Sequence, residues 1–434
     1  MADRSAPRMS AAPAEAAPQG PLAGLRVLDL SRVLAAPWAT QILGDLGAEV
    51  LKVEQPGSGD DTRRWGPPFL DDGSERPDAA YFLCANRNKR SIAIDFARPE
   101  GAALVRRLAA GADILVENFR TGGLAKYGLD AATLCAAHPR LVYCSITGFG
   151  QTGPYAARGG YDFLIQGLSG LMSVTGRPDG AEGAGPMKVG LPVSDLFTGL
   201  YATISILAAL RERERSGLGQ HLDCALLDSQ LAVLVNQGMN YLVGGTVPGR
   251  LGNDHPNVVP YRDFAAADDY IIVACGNDAQ FRALCRLLGL GAMAEDPRFA
   301  TNAGRMRERR TLELALARAI APWKAAELLA AMERAGVPGG PINTIDQVLA
   351  DPQVAARGLL RSLCRADGTP LTVIGYPGQF SRTPPSYRHA PPWLGQDTAE
   401  ILSGLLGLDA AEIEALKQAG VVQAATRQAT EQPA

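Results

Sequence analysis

The chain has 434 residues, 47% of them hydrophobic and 20% charged, with a formal net charge of −3 at pH 7. That length and apolar content suit a large buried core in two to three domains, while the near-neutral charge excludes a global attraction to nucleic acid or to an anionic membrane surface, so that an anionic ligand must be held by a local cluster. The seven cysteines (Cys84, Cys135, Cys144, Cys224, Cys275, Cys285, Cys364) form no C-x-x-C pair, and His138, His221, His255 and His389 lie far apart, so we expect reduced thiols, no metal and a cytoplasmic location.

Residues 1–20 are rich in Ala and Pro without an apolar run of signal-peptide length, and read as a disordered leader. From Leu25 the pattern predicts a strand to Leu30, a loop Ser31–Pro37, a helix Trp38–Leu46 and a strand Glu49–Glu54, a βαβ unit. Further strands are predicted at Ser91–Asp95, Asp113–Glu117 and Leu141–Thr147, alternating with helices at Pro99–Ala110 and Asp130–Ala137. A helix is predicted to begin at or just after Asp195, since Leu200, Ile204, Leu207, Ala208 and Leu210 recur at helical spacing before the charged run Arg211–Arg215 and Gly217. A strand Gln220–Cys224 and a helix Ser229–Val243 follow, then a Gly/Pro-rich loop and a segment of different texture with strands at Tyr261–Ala265 and Tyr270–Cys275 and helices at Ala279–Leu288, Arg307–Ala321 and Lys324–Ala335. The last strands, Leu359–Cys364 and Thr369–Val373, precede a helix Asp397–Leu406 and the stretch Ala410–Val422.

The predicted fold class is therefore α/β: a large discontinuous Rossmann-like domain with a parallel sheet, plus a smaller α/β domain. Its expected parts are residues 21–224, then a linker helix and small domain over 225–344, the returning part of the large domain over 345–422, and a disordered tail over 423–434. The apolar runs are amphipathic or broken by charge and Gly, so no membrane span is expected.

The turn after the first strand, Ser31-Arg32-Val33-Leu34-Ala35-Ala36-Pro37, has no glycine, which argues against dinucleotide binding. Gly167-Leu168-Ser169-Gly170 lacks the spacing of a serine-hydrolase elbow, and there is no P-loop. What remains is carboxylates beside Gly-rich loops. Asp195 at a helix start suits a nucleophile kept ionised by the positive end of the helix dipole, although an Asp before an apolar helix is most often an N-cap. A carboxylate nucleophile needs an activated acyl donor and backbone oxyanion donors at roughly 3 kcal/mol each. Arg63-Arg64, Arg87-Asn88-Lys89-Arg90 and Lys126 are basic groups that suit phosphates or a solvated surface.

Leu22-Ala23-Gly24-Leu25-Arg26-Val27-Leu28-Asp29-Leu30, Gly44-Asp45-Leu46-Gly47-Ala48-Glu49-Val50, Gly57-Ser58-Gly59-Asp60, Asn88-Lys89-Arg90-Ser91-Ile92, Glu117-Asn118-Phe119, Ile146-Thr147-Gly148-Phe149-Gly150 and the block from Gly160-Tyr161-Asp162 to Asp195 occur in order. Together they resemble the class III CoA-transferase (CaiB/BaiF, formyl-CoA transferase-like) family over about residues 21–422, nearest to its succinyl-CoA:glutarate CoA-transferases. The resemblance implies an enzyme that moves CoA from an acyl-CoA, succinyl-CoA first, to a dicarboxylic acid such as glutarate, with Asp195 passing through an acyl anhydride and an aspartyl-CoA thioester. It implies no cofactor beyond coenzyme A as substrate, and an interlocked homodimer.

It also implies CoA contacts at Leu34, Ala35, Ile94, Asp95, Phe96, Ala97, Asn118, Phe119, Lys126, Arg158, Gly159, Gly160 and Tyr161. Leu34 departs from the Gln of some members, Gln55 from a basic residue and Ala97 from Lys. For the distal carboxylate of the acceptor, Arg250, His255 and Arg262 are candidates by position. The acyl-CoA racemases of the same fold carry a histidine where Tyr161 stands, and a phenol is a poor base near neutral pH. A racemase, or a CoA-binding protein without turnover, is the alternative.

Overall fold

The computed structural model describes residues 20–425; apart from Gly20 the expected leader lies outside that range, as do residues 426–434 of the expected tail. The chain divides into two units. The larger takes everything described up to Ile165, then Pro192–Val233 and everything from Gly358 onward; the smaller takes Gln166–Leu191 and Leu234–Arg357.

The larger unit is built on strands β1 (Arg26–Asp29), β2 (Glu49–Glu54), β3 (Lys89–Ile94), β4 (Ile114–Glu117), β5 (Val142–Thr147) and β6 (His221–Ala225). They pair in parallel in the order β3-β2-β1-β4-β5-β6, and Val422–Gln423 adds an antiparallel strand outside β3. The central strands are apolar on both faces because helices cover both. Val27 and Val50 point into one core with Ala35, Ala39 and Leu43 of helix α1 (Ala35–Asp45). Leu28 and Leu51 point into the other with Leu104, Val105 and Leu108 of α2 (Pro99–Ala110), while Leu134 and, near the C-terminus, Ile401, Leu402 and Ile413 complete it. Helix α3 (Val193–Ser216) lies on the first face, contributing Ala202, Ile206 and Ala209. Gly199 lets it approach α1: a Cβ there would lie 2.6 Å from the Ala35 carbonyl oxygen.

The smaller unit carries a three-stranded antiparallel sheet of Tyr261–Ala265, Tyr270–Ala274 and Gly339–Pro341. Helices Asp278–Leu287, Arg309–Ile320 and Ala325–Arg334 close its core around Phe281, Phe299, Leu312 and Met332.

Several boundaries differ from the expectation. The first helix begins at Ala35 rather than Trp38, because Ala35 and Ala36 precede Pro37, which is well tolerated in a first helical turn. The single helix expected over Ser229–Val243 is two, Leu226–Ala232 and Val235–Gly244, and the stretch of the larger unit that precedes Gly358 runs to Val233, at the break between them, rather than to residue 224. Residues 166–191 and 345–357 fall in the smaller unit. Gln423, expected in the tail, is a strand residue whose carbonyl accepts from the Thr398 hydroxyl at 2.7 Å. Helix α3 satisfies the length and composition of a membrane span, yet Thr198, Ala202, Ile206 and Ala209 bury one side of it in the core.

Candidate active site

The strand order reverses between β1 and β4, and in an open parallel sheet the crevice at such a point is where a ligand fits. Here it is a cavity of about 510 Å³. The turn after β1 supplies Arg32 to Ala35, the loop after β4 supplies Asn118, Phe119, Arg120, Thr121 and Lys126, and the loop after β5 supplies Thr147, Gly148 and Arg158 to Tyr161. Asp195 opens onto it from the first turn of α3.

Asp195 is the third residue of its helix, which starts at Val193, and its side chain caps nothing. The cap is Asp162, whose Oδ1 accepts the backbone N–H of Ser194 at 2.8 Å and, more weakly, that of Asp195 at 3.4 Å. Asp195 is 8% exposed, and no hydrogen bond or cation among the described residues reaches its carboxylate. Burial, and then the neighbouring Asp162, push its pKa up to about 7. The expectation of a carboxylate held fully ionised by the helix dipole is thus corrected: desolvation and a like charge outweigh the dipole. The result is a weakly solvated carboxylate, half ionised near neutral pH, whose oxygens are free to attack.

Backbone N–H groups suited to receive negative charge on oxygen lie at the start of α1. Leu34 at the N-cap has no capping side chain, and the N–H groups of Ala35 and Ala36 find no acceptor among the described residues, as the first N–H groups of a helix do by construction. Ala35 lines the cavity with Asp195. Backbone donors therefore stand where the Leu34 side chain offers none.

Of the residues expected to hold CoA, Leu34, Ala35, Phe96, Asn118, Phe119, Lys126, Arg158, Gly159, Gly160 and Tyr161 line this cavity. Ile94, Asp95 and Ala97 do not. Ile94 is fully buried in the core below it, Asp95 turns its carboxylate to the Ala97 N–H, and Ala97 lies outside the lining. Phe119 packs edge-on against Phe96, with ring centroids 5.6 Å apart. Gly148 and Gly160 cross so closely that a Cβ on either would fall within 3 Å of the other's backbone, which fixes glycine at both.

The basic clusters separate by role. Arg63, Arg87 and Lys89 are buried and paired: Arg63 with Glu54 and Asp78 at 2.7 and 2.8 Å, Arg87 with Asp45 at 2.6 Å, Lys89 with Asp29 at 3.0 Å. They hold the fold and have no charge left for phosphates. Arg120, Lys126 and Arg158 line the cavity without a carboxylate partner among the described residues; Arg158 stacks on Tyr155 at 4.5 Å. In the smaller unit Arg250 pairs with Asp179 and Arg262 with Asp254 and Glu313, and His255 Nδ1 accepts the Asn257 N–H.

Arg32, Arg120 and Thr121 were outside the sequence-based set, although Arg120 and Thr121 directly follow Asn118-Phe119, in the loop that a strand-order reversal at β4 would single out. Tyr81 was missed too. Its hydroxyl pKa is pushed up to about 12 by burial and by Asp195, so it remains a protonated donor in the field of the nucleophile candidate. No motif flags it, since the short helix Ala80–Leu83 comes near Asp195 only through the fold, with Tyr81 outside the cavity lining.

The sequence matches the family described as CoA-transferase family III over residues 22–398. It is 52% identical over 386 residues to the succinate--glutarate CoA-transferase of Agrobacterium fabrum, covering 89% of this chain and 96% of that one. It is 42% identical over 402 residues to the human succinyl-CoA:glutarate CoA-transferase, covering 93% and 90%. A crystal structure of a CaiB/BaiF family protein from Brucella suis superposes with a TM-score of 0.79 at 50% identity, over 89% of this chain and all of the other. A cavity with an unpaired carboxylate and unpaired cations, on a fold shared along nine-tenths of the chain, leads to one assignment: this protein belongs to CoA-transferase family III and is an enzyme of that class.

Proposed function

We propose that the enzyme transfers CoA from succinyl-CoA to glutarate, with Asp195 as the nucleophile. The observation that carries the reading is the Asp195 carboxylate, buried beside Asp162, with no cation paired to it, at the edge of a cavity lined by three cations, Arg120, Lys126 and Arg158, that have no carboxylate partner among the described residues. The substrates follow the names of the relatives that are 52% and 42% identical.

In the proposed reaction an Asp195 oxygen attacks the thioester carbonyl of succinyl-CoA, forming a mixed anhydride and expelling the CoA thiolate. The thiolate then attacks the Asp195 carbonyl, giving an aspartyl-CoA thioester and releasing succinate with one oxygen that had belonged to Asp195. Glutarate attacks that thioester, and the returning thiolate takes the glutaryl carbonyl, leaving Asp195 with one glutarate oxygen. Each of the four additions to a carbonyl passes through a tetrahedral intermediate with negative charge on oxygen, which the Ala35 and Ala36 N–H groups at the start of α1 are suited to receive. Arg120, Lys126 and Arg158 would meet the phosphates of CoA, and Phe119 with Phe96 would offer an apolar wall to its base.

Each step uses only carboxylate and thiolate chemistry, and the reading includes no further cofactor. All seven cysteines are unpaired, which fits a reducing, cytoplasmic setting. The proposed homodimer is supported by an unpartnered stripe on α3: Phe197, Leu200, Tyr201 and Ile204 recur at helical spacing and are exposed, Ile204 to 60%. The test is succinyl-CoA with a panel of carboxylates. Transfer to glutarate that disappears in Asp195→Ala supports the reading, and undiminished transfer in that variant contradicts it.

A further inference from the structure

The turn between β1 and α1 adopts a backbone that its sequence disfavours. Val33 has φ 71, in the left-handed region where a β-branched residue is a genuine outlier. Its neighbours hold it there. Asp60 Oδ1 accepts the Val33 N–H at 3.2 Å. Lys52 Nζ donates to the Ser31 carbonyl at 2.9 Å. Asn118 brackets Arg32, accepting its N–H at 3.0 Å and donating to its carbonyl at 2.6 Å.

Asp60 is in turn immobilised. Its Oδ2 accepts from Lys52 Nζ at 2.9 Å, and its Oδ1 accepts the Thr62 N–H and hydroxyl at 3.0 and 2.8 Å. The side chains of Lys52 and Asp60 have no exposed surface, so neither can touch a substrate. What they control is the chain direction into α1, whose first N–H groups abut the cavity and whose Ala35 sits against Gly199, one helical turn beyond Asp195. With α1 and α3 in backbone contact there, a relaxed Val33 would displace those N–H groups.

We propose that Asp60 is a positioning residue for the transfer reaction: through the Val33 N–H it holds the strained turn that presents the first N–H groups of α1 to the acyl group on Asp195. This rests on the reading of Asp195 as the nucleophile. A clamp of this kind spends folded-state stability to fix geometry that matters most when charge develops on oxygen, so its loss belongs in kcat rather than in the binding of acyl-CoA.

The experiment is steady-state transfer from succinyl-CoA to glutarate by the full-length enzyme, comparing Asp60→Ala in the wild-type and Val33→Gly backgrounds. With Val33 present, Asp60→Ala is expected to lower kcat by more than about tenfold while KM for succinyl-CoA stays within about threefold. In the Val33→Gly background the same substitution is expected to cost less than about threefold, because glycine takes the left-handed φ without help. Equal losses of kcat in the two backgrounds would overturn the proposal, as would a loss confined to KM or to thermal stability. If Asp60→Ala does not fold, Val33→Pro is decisive, since proline can neither adopt positive φ nor offer the N–H. It should lose more than about tenfold in kcat, and kcat within about threefold of wild type, or a Val33→Pro chain that is itself unfolded and so shows the turn to serve stability, would overturn the proposal. Asp195→Asn, assayed alongside, separates the two ideas. Retained transfer there sinks the nucleophile reading itself, whereas lost transfer there with no dependence of Asp60→Ala on the residue at position 33 sinks the positioning role alone.

Discussion

Two sets of buried carboxylates sit at the same end of one sheet, and their surroundings make them opposites. Beneath the turn after β1, Asp29, Glu54 and Asp60 are interleaved with Lys52, Lys89 and Arg63, every pair within 3.0 Å. Burial alone would raise the Asp29 pKa, but Lys89 and Lys52, helped by Ser31 and Thr40, bring it down to about 2. Asp195 is buried to a similar extent and faces another carboxylate instead of a cation, and its pKa rises to about 7. Burial by itself makes neither a structural nor a reactive acid; the partner decides. A paired carboxylate spends its lone pairs on cations and hydrogen bonds, while an unpaired one keeps them available at a cost in stability.

The largest expected break in this contrast is chemical. Asp195→Ala should lower kcat for CoA transfer by at least about 10³-fold, whereas no such loss without unfolding is expected from changing Asp29. Next comes stability, where the two carboxylates should respond with opposite sign. Lys89→Met leaves Asp29 short of its nearest cation and should destabilise the fold by about 3 kcal/mol in denaturant titrations. Asp195→Asn should instead stabilise it above neutral pH. A carboxyl whose folded pKa lies above its unfolded value binds more protons when folded, so its contribution is fully present below about pH 4 and is lost as pH rises through about 7. Removing that charge should gain about 2–4 kcal/mol at pH 8 and nothing at pH 4.

A smaller effect sharpens the contrast on the ligand side. Arg63 is neutralised by acids and Lys126 is not, so Lys126→Ala should raise KM for succinyl-CoA about tenfold with little change in kcat, in a salt-dependent manner. The smallest is a shift along the pH axis. With Asp195 acting in its ionised form, kcat/KM should fall below about pH 7. Asp162→Asn keeps an oxygen to cap α3 but removes the like charge, and should move that acidic limb to lower pH by up to about one unit.

Much of this was legible in the sequence. The apolar runs of β1 to β5 and their helical spacers predicted the large α/β unit, and the strand Glu49–Glu54 and helix Pro99–Ala110 fall where predicted. Periodicity found the helix bearing Asp195 and missed its start by two residues, because the capping oxygen comes from Asp162, 33 positions away. The raised pKa was equally out of reach, because its causes, burial first and Asp162 second, arise only in the folded chain. Arg87 and Lys89 looked like phosphate ligands because charge is visible in a sequence, while the buried acids that neutralise them, Asp45 and Asp29, are 42 and 60 positions distant. The turn at Val33 was illegible for another reason. No residue there has an intrinsic preference for positive φ, and the conformation is imposed by Lys52 within β2, Asp60 in the loop beyond it and Asn118 just after β4.

As the nucleophile, the Asp195 carboxylate would exchange an oxygen with substrate in every turnover. Turnover of succinyl-CoA with glutarate labelled in its carboxylates with oxygen-18, followed by mass analysis of the peptide carrying Asp195, tests it most directly. Oxygen-18 is expected in the Asp195 side chain, in no other residue, and later in released succinate. Continued transfer with an unlabelled Asp195 would contradict it.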